Sequence, residues 1–149
     1  MTGVDASPSM LKIARRNSRN SIEFYLEDAS KLPFEDCLFD GAILSFALHE
    51  KDPITRNRIV HEAERILARN GKLIIVDFMK PSGCLSRLAH AVGVRMVERA
   101  AGKEHYGHYK EFMKGGATQS LMTQHALLPL HLRTYYMGTV GLVLAVKRQ

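Results

Sequence analysis

Three apolar runs, separated by amphipathic stretches, constrain this chain more than any other feature. Phe39-Asp40-Gly41-Ala42-Ile43-Leu44-Ser45-Phe46 and Lys72-Leu73-Ile74-Ile75-Val76-Asp77-Phe78 are almost continuously apolar, as expected of parallel strands buried on both faces. Between them, Asp52-Pro53 predicts the cap of a helix running to about Arg69, with Ile59, Ala63, Ile66 and Leu67 at helical spacing. Asn70-Gly71 is the expected stop. Ile22-Glu23-Phe24-Tyr25-Leu26 reads as the third strand. It follows a short helix over residues 8–19, for which Ser7 is the expected N-cap and Pro8 the first residue. Strands alternating with helical crossovers predict an α/β architecture with a right-handed, doubly wound parallel sheet.

Beyond Pro81 the pattern changes. Leu85, Leu88, Ala89, Val92, Met96 and Val97 form the apolar stripe of a helix over about residues 83–101. Residues 102–117 read as a loop with a short helix, and a further helix covers about 118–126. His131 to Met137 and Val140 to Lys147 then read as a β-hairpin with a glycine-containing turn. Its last strand would be antiparallel in an otherwise parallel sheet.

The 149 residues suffice for one domain with a real core, and 46% hydrophobic with 24% charged residues is ordinary globular composition. No apolar run approaches the roughly 20 residues of a membrane span. The N-terminus has no signal-peptide pattern, so the cytoplasm is the expected compartment. Cys37 and Cys84 have no metal-ligand spacing and are expected to be reduced thiols. A net charge of +6 is spread along the chain and selects no partner.

The opening Thr2-Gly3-Val4-Asp5-Ala6-Ser7-Pro8-Ser9-Met10 reads as a strand ending in an acid, then a tight turn into a helix. An acid at a strand tip in a nucleotide-binding α/β fold commonly accepts hydrogen bonds from ribose hydroxyls, although Asp5 also fits an ordinary helix-opening acid. Lys12, Arg15, Arg16 and Arg19 make a basic stripe opposite Met10, Ile13 and Ala14; it reads as the solvated back of a helix, with phosphate contact as the alternative.

Taken together, these pieces resemble the class I S-adenosylmethionine-dependent methyltransferases, in particular the small-molecule "type 11" branch that includes the quinone-biosynthesis C-methyltransferases. Gly3-Val4-Asp5-Ala6-Ser7 with Met10-Leu11 is similar to that family's second-strand motif. Leu26-Glu27-Asp28-Ala29, then Leu32-Pro33-Phe34 and Phe39-Asp40, are similar to its third- and fourth-strand motifs. Arg65-Ile66-Leu67-Ala68-Arg69-Asn70-Gly71-Lys72-Leu73 matches its run into the fifth strand, and the closing hairpin also matches. The resemblance implies a Rossmann-like, mostly parallel sheet with helices on both faces, an antiparallel C-terminal hairpin strand, and S-adenosylmethionine as cofactor. It implies that Asp5 holds the ribose, with Ala6 and Met10 near the sugar and adenine. Asp28 would accept from the adenine amino group and Ala29 would meet the ring through its backbone, while Ser45 and Phe46 would lie beneath the methionine part. His49, in Ala47-Leu48-His49-Glu50, is the candidate general base; its alternative is a histidine that bonds only Glu50 or the backbone. Tyr106, His108 and Tyr109 lie where the family places its acceptor lid.

The family's first strand and glycine-rich turn would stand upstream of Thr2. The expectation is therefore a single, N-terminally truncated methyltransferase domain over 1–149, with the first βα unit missing. A homo-oligomer or partner subunit completing the sheet, and a gap repaired by another strand, are the other outcomes. The partner expected is a small-molecule methyl acceptor. Nucleic acid is not expected, because no Asn/Asp-Pro-Pro-aromatic motif and no dense basic tract is present. A non-catalytic relic or interaction subunit and an NAD(P)-dependent oxidoreductase are the alternative functions. Three further signals are set aside. Tyr106-x-x-x-Lys110 lacks the dehydrogenase turn after the fourth strand. His61-Glu62-Ala63-Glu64-Arg65 lacks the second zinc-protease histidine. Glu104, His105, His108 and Glu111 read as a chance cluster, so no metal is expected.

Overall fold

The computed structural model describes residues 1–18, 21–100, 102–125 and 127–147. Strand β1 (Thr2–Asp5) leads into helix α1 (Pro8–Asn17), and β2 (Glu23–Leu26) returns parallel to β1, with Asp5 opposite Leu26. Ser7 caps α1 by accepting the amide of Met10 at 3.4 Å, and Pro8 opens it. Gly3 is required for the close pairing: a Cβ there would stand 2.7 Å from the Phe24 ring. Only Leu11 of α1 is buried; Met10 and Ile13 are exposed along with Lys12, Arg15 and Arg16. Arg15 donates to the Phe24 carbonyl at 3.0 Å, which ties the basic stripe to β2. Arg19, its fourth expected member, lies outside the described residues.

The second sheet has four strands in the order β3 (Phe39–Ser45), β4 (Leu67–Phe78), β6 (Val140–Lys147), β5 (Leu127–Tyr135). β3 and β4 are parallel, and β6 runs antiparallel to both β4 and β5. The fold is thus α/β and Rossmann-like, with parallel pairs β1–β2 and β3–β4 and an antiparallel hairpin. Helix α2 (Pro53–Ile66) crosses from β3 to β4, capped by Asp52, whose carboxylate accepts the amides of Ile54 and Thr55 at 2.9 and 3.1 Å. The Thr55 hydroxyl, together with those amides, holds its pKa below the usual carboxylate range. The core joins Leu48, Ile59, Val60, Ala63, Leu73, Ile75 and Val143 with residues of α5 (Lys103–Lys114) and α6 (Ala117–Gln124).

Four expectations are corrected. β3 is not buried on both faces: among the described residues it pairs only with β4, and Ile43 is 65% exposed. The helix expected to reach Arg69 ends at Ile66. Leu67 is buried as its spacing implied but is extended and pairs with Phe39, and the left-handed Asn70 (φ 70°) bends a strand rather than closing a helix. The helix expected over 83–101 is present, running without a gap as α3 (Cys84–Ala89), a π-helical segment (His90–Val94) and α4 (Arg95–Ala100), but its apolar stripe is not a core face. Its stripe residues Leu85, Leu88, Val92 and Met96 face solvent; Ala101 and the side chains of Ala89 and Val97 lie outside the description. Finally, α5 takes up most of residues 102–117, where a loop with only a short helix was expected, so Tyr106 and Lys110 share a helix face, with the Lys110 ammonium 5.0 Å from the Tyr106 ring centroid. The expected helix over 118–126 and the hairpin are present as α6 and β5–β6, with Ala126 outside the described residues. Cys37 and Cys84 are free and exposed. No helix among the described residues is long and apolar enough to cross a membrane.

Candidate functional site

The candidate residues lie at the carboxyl ends of β1, β2 and β3, the end where open α/β sheets take ligands. Asp5 ends β1 half-buried. One carboxylate oxygen accepts the Ser7 amide at 2.8 Å, and the other makes no hydrogen bond among the described residues. Ala6 and Met10 are exposed beside it. Asp28 follows β2 and is exposed. It accepts the Ser30 amide at 2.8 Å, and that bond, the Ser30 hydroxyl and the Lys51 and Arg58 charges hold its pKa below the usual carboxylate range. It is therefore an ionised acceptor. Ala29 turns inward and packs against the core.

Ser45 ends β3 and Phe46 follows it in a bend, both exposed. Phe46 adopts φ 50°, a left-handed conformation that costs energy for a bulky residue and concentrates at functional sites. Its amide still donates to the Val76 carbonyl at 2.8 Å, so the strained turn is anchored to β4.

The segment after Phe46 is held from two sides. Asp77, fully buried on β4, accepts the amides of Leu48 and His49 on one oxygen at 3.1 and 3.3 Å. Its other oxygen accepts the Phe78 amide and His49 Nδ1, both at 2.8 Å. From α2, the buried Arg56 donates to the carbonyls of Leu48 and Lys51 at 2.9 and 2.6 Å and lies over the Phe112 ring. Burial pulls the Arg56 pKa down, against the charges of Glu111, Asp77 and Asp52.

An ionised carboxylate only accepts, so Asp77 fixes the proton of neutral His49 on Nδ1 and leaves a lone pair on Nε2. Burial opposes the charged imidazole, but Asp77, Glu98 and Glu50 outweigh it and raise the His49 pKa. The His49 ring lies edge-on to Phe46, Phe78 and His105. Its Nε2 stands 3.6 Å from the buried Glu98 of α4, and His105 of α5 meets the same Glu98 oxygen at 2.6 Å. Beside them opens a cleft of about 590 Å³ lined by Glu50, Asp52, Lys103, Glu104, His105 and His108.

Of the expected lid residues, only His108 reaches this cleft. Tyr109 is buried in the core, its hydroxyl bonded to His90 Nε2 and its ring against Phe78. Tyr106 stacks on Tyr109 and packs against the core. Asp77 and Glu98 were not singled out from the sequence. Asp77 had a signal, an acid inside an otherwise apolar strand. Glu98 had none, because its partners lie on other elements.

The family profile described as "Methyltransferase domain" matches residues 1–75, half of the chain, from β1 to Ile75 of β4. A demethylmenaquinone methyltransferase of Thermotoga maritima is 35% identical over 82 residues, covering 55% of this chain and 34% of that protein. The ubiquinone/menaquinone biosynthesis C-methyltransferase UbiE of Geobacter sp. (strain M21) is 27% identical over 93% of this chain and 67% of its own length. A solved SAM-dependent methyltransferase of Methanosarcina mazei superposes with a TM-score of 0.66 at 19% identity, covering 98% of this chain and 81% of that one. The chain thus spans about a third of the Thermotoga protein and two thirds of the Geobacter one. The profile match over half of the chain settles the family: the chain belongs to the class I S-adenosylmethionine-dependent methyltransferases, type 11.

Proposed function

We propose that this chain binds S-adenosylmethionine across the ends of β1, β2 and β3 and methylates a small-molecule acceptor. The observation that carries the reading is Asp5: it closes β1 inside the matched domain, with one oxygen engaged by the turn and the other without a hydrogen bond among the described residues. That oxygen suits a ribose hydroxyl, with Ala6 and Met10 flanking the sugar and adenine. Asp28 suits the adenine amino group, with the Ala29 backbone at the ring, and Ser45 and Phe46 suit the methionine part. The cofactor supplies a methyl carbon made electrophilic by its sulfonium. The protein has to align the acceptor and exclude water.

The acceptor is proposed to enter by the cleft at His105 and His108. The relatives' names favour a ring of the quinone-biosynthesis kind. For an acceptor that must lose a proton, His49 Nε2 is the proposed proton acceptor, held in register by Asp77. A homo-oligomer or partner subunit completing the sheet, with or without catalysis, is a second reading. It is favoured by the edges of β1 and β3, neither of which has a second strand neighbour among the described residues.

The test is calorimetric titration with S-adenosylhomocysteine. Asp5→Ala and Asp28→Ala should each raise Kd by about 10–100-fold, the scale of a hydrogen bond to a charged group, with unchanged circular dichroism. Unchanged affinity in both variants would sink the site assignment. A folded wild-type chain with no affinity would favour the second reading.

A further inference from the structure

We propose that His49, His105 and Glu98 form a binding site for a divalent transition-metal ion of the zinc class. Their donor atoms come from three separate elements and lie within 4.8 Å of one another. His49 and Glu98 are buried, and His105 closes the group on the cleft side. Both imidazoles turn Nε2 toward one Glu98 oxygen, at 3.6 Å from His49 and 2.6 Å from His105. Both turn Nδ1 toward a further carboxylate, Asp77 at 2.8 Å and Glu50 at 3.6 Å. At His49 this is the arrangement in which an outer carboxylate fixes the tautomer of a metal-ligating histidine and raises its basicity, and at His105 the Glu50 charge lies on the same side of the ring. Two histidines oriented in this way around one buried acid are more than the hydrogen bonding of either ring requires.

Charge points the same way around Glu98. Three carboxylates, Asp77, Glu98 and Glu50, face two imidazoles; the buried Arg56 lies in the field of Asp77, and Lys51 pairs with Glu50 at 2.8 Å on the exposed side. A buried carboxylate between imidazoles needs a positive charge beside it, either a proton or a cation. A donor set of two imidazole nitrogens and one carboxylate suits Zn2+ or Co2+ and is a poor match to Mg2+ or Ca2+, which take oxygen donors. The cleft leaves positions open on the His105 side, where water or an oxygen of a bound small molecule would complete the coordination.

The inference goes beyond methyl transfer and stands even if the chain binds no S-adenosylhomocysteine. It also gives His49 Nε2 an occupant other than a proton, so a bound ion and the base role exclude each other at that atom.

The experiment is calorimetric titration of metal-free protein with Zn2+, paralleled by visible absorption with Co2+. It is done in a Cys37→Ser/Cys84→Ser background, which removes the two exposed thiols. The expected result is one equivalent bound with micromolar Kd or tighter, together with Co2+ d–d bands. Both should be lost in His105→Ala and Glu98→Gln. Glu50→Gln, at the surface, should weaken binding by about 10–100-fold, and millimolar Mg2+ should not compete. His105 is partly exposed, so His105→Ala decides the matter if Glu98→Gln does not fold. No saturable binding, binding unchanged in His105→Ala, or displacement by Mg2+ would each overturn the proposal.

Discussion

β1 and β2 lead to the acids proposed to hold the cofactor, Asp5 at the end of β1 and Asp28 just after β2, yet neither strand has a fully buried residue; six of the twelve residues of β4 are buried. The β1–α1–β2 unit is fastened to the remainder largely by polar and aromatic contacts along the segment between β2 and β3. Arg65 of α2 donates to the carbonyls of Leu32 and Phe34 and to Asp36, at 3.1, 2.7 and 2.7 Å. Glu62 accepts the Leu32 amide at 2.8 Å, and Phe34 stacks edge-on between Tyr25 and Phe39. The four-stranded unit is instead held by apolar burial around Leu73, Ile75 and Val143. One unit is therefore sensitive to loss of volume, the other to loss of a charge.

The largest effect should come from Ile75→Ala. Ile75 is fully buried between Leu44 and Val143 in the sheet register, and truncating such a residue costs about 2–5 kcal/mol. Urea unfolding measures it. A cost below about 1 kcal/mol, the scale of an ordinary substitution, would mean that the second sheet is not the stability core and would erase the contrast.

Arg65→Ala sharpens the comparison from the other side. It should raise amide hydrogen exchange in β1 and β2 while leaving β4 and β6 protected, because local opening follows the contacts that are lost. Uniform loss of protection would show one cooperative unit rather than two. The same link should respond to acid. The hydrogen bond from Arg65, with the Leu32 amide and the Arg65 charge, holds the Glu62 pKa below its ordinary 4.5, against burial. A lowered folded pKa means that the stabilisation is present above 4.5 and is lost as pH falls through the folded value. The Leu32 amide resonance should titrate with a midpoint below 4.5, and Arg65→Ala should move that midpoint upward.

The same division decides what was legible in the sequence. Local chemistry read correctly: Ser7-Pro8 and Asp52-Pro53 open helices, Ile59, Ala63 and Ile66 are buried at their helical spacing, and the last two strands form a hairpin. Leu67 misled because one residue satisfied two patterns, a helical repeat and a buried strand position. The length of α5 was under-read because Gly107 and its histidines and tyrosines are weak helix formers, whereas Tyr109 and Phe112 bury into the core and hold the helix by tertiary packing. The candidate site divides similarly. Asp5, Asp28, Phe46 and His49 sit at strand ends that a motif can mark. Asp77 and Glu98 gain their roles only when β4 and α4 come against the turn after Phe46, and no spacing along the chain encodes that meeting.

The smallest effect is expected at Ile43, and it bears most directly on the boundary between the two units. Ile43 pairs with Ile74 in the backbone register of the core sheet, but its side chain is 65% exposed on β3. Ile43→Thr keeps the β-branched shape that a strand favours and removes little buried apolar surface. It should change stability by less than about 0.5 kcal/mol. A cost near that of Ile75→Ala would mean that Ile43 is covered in solution, either by a second copy of the chain or by another strand at the open edge of β3. Sedimentation at two protein concentrations would then separate the two: cover by a second copy depends on concentration, whereas cover within one chain does not.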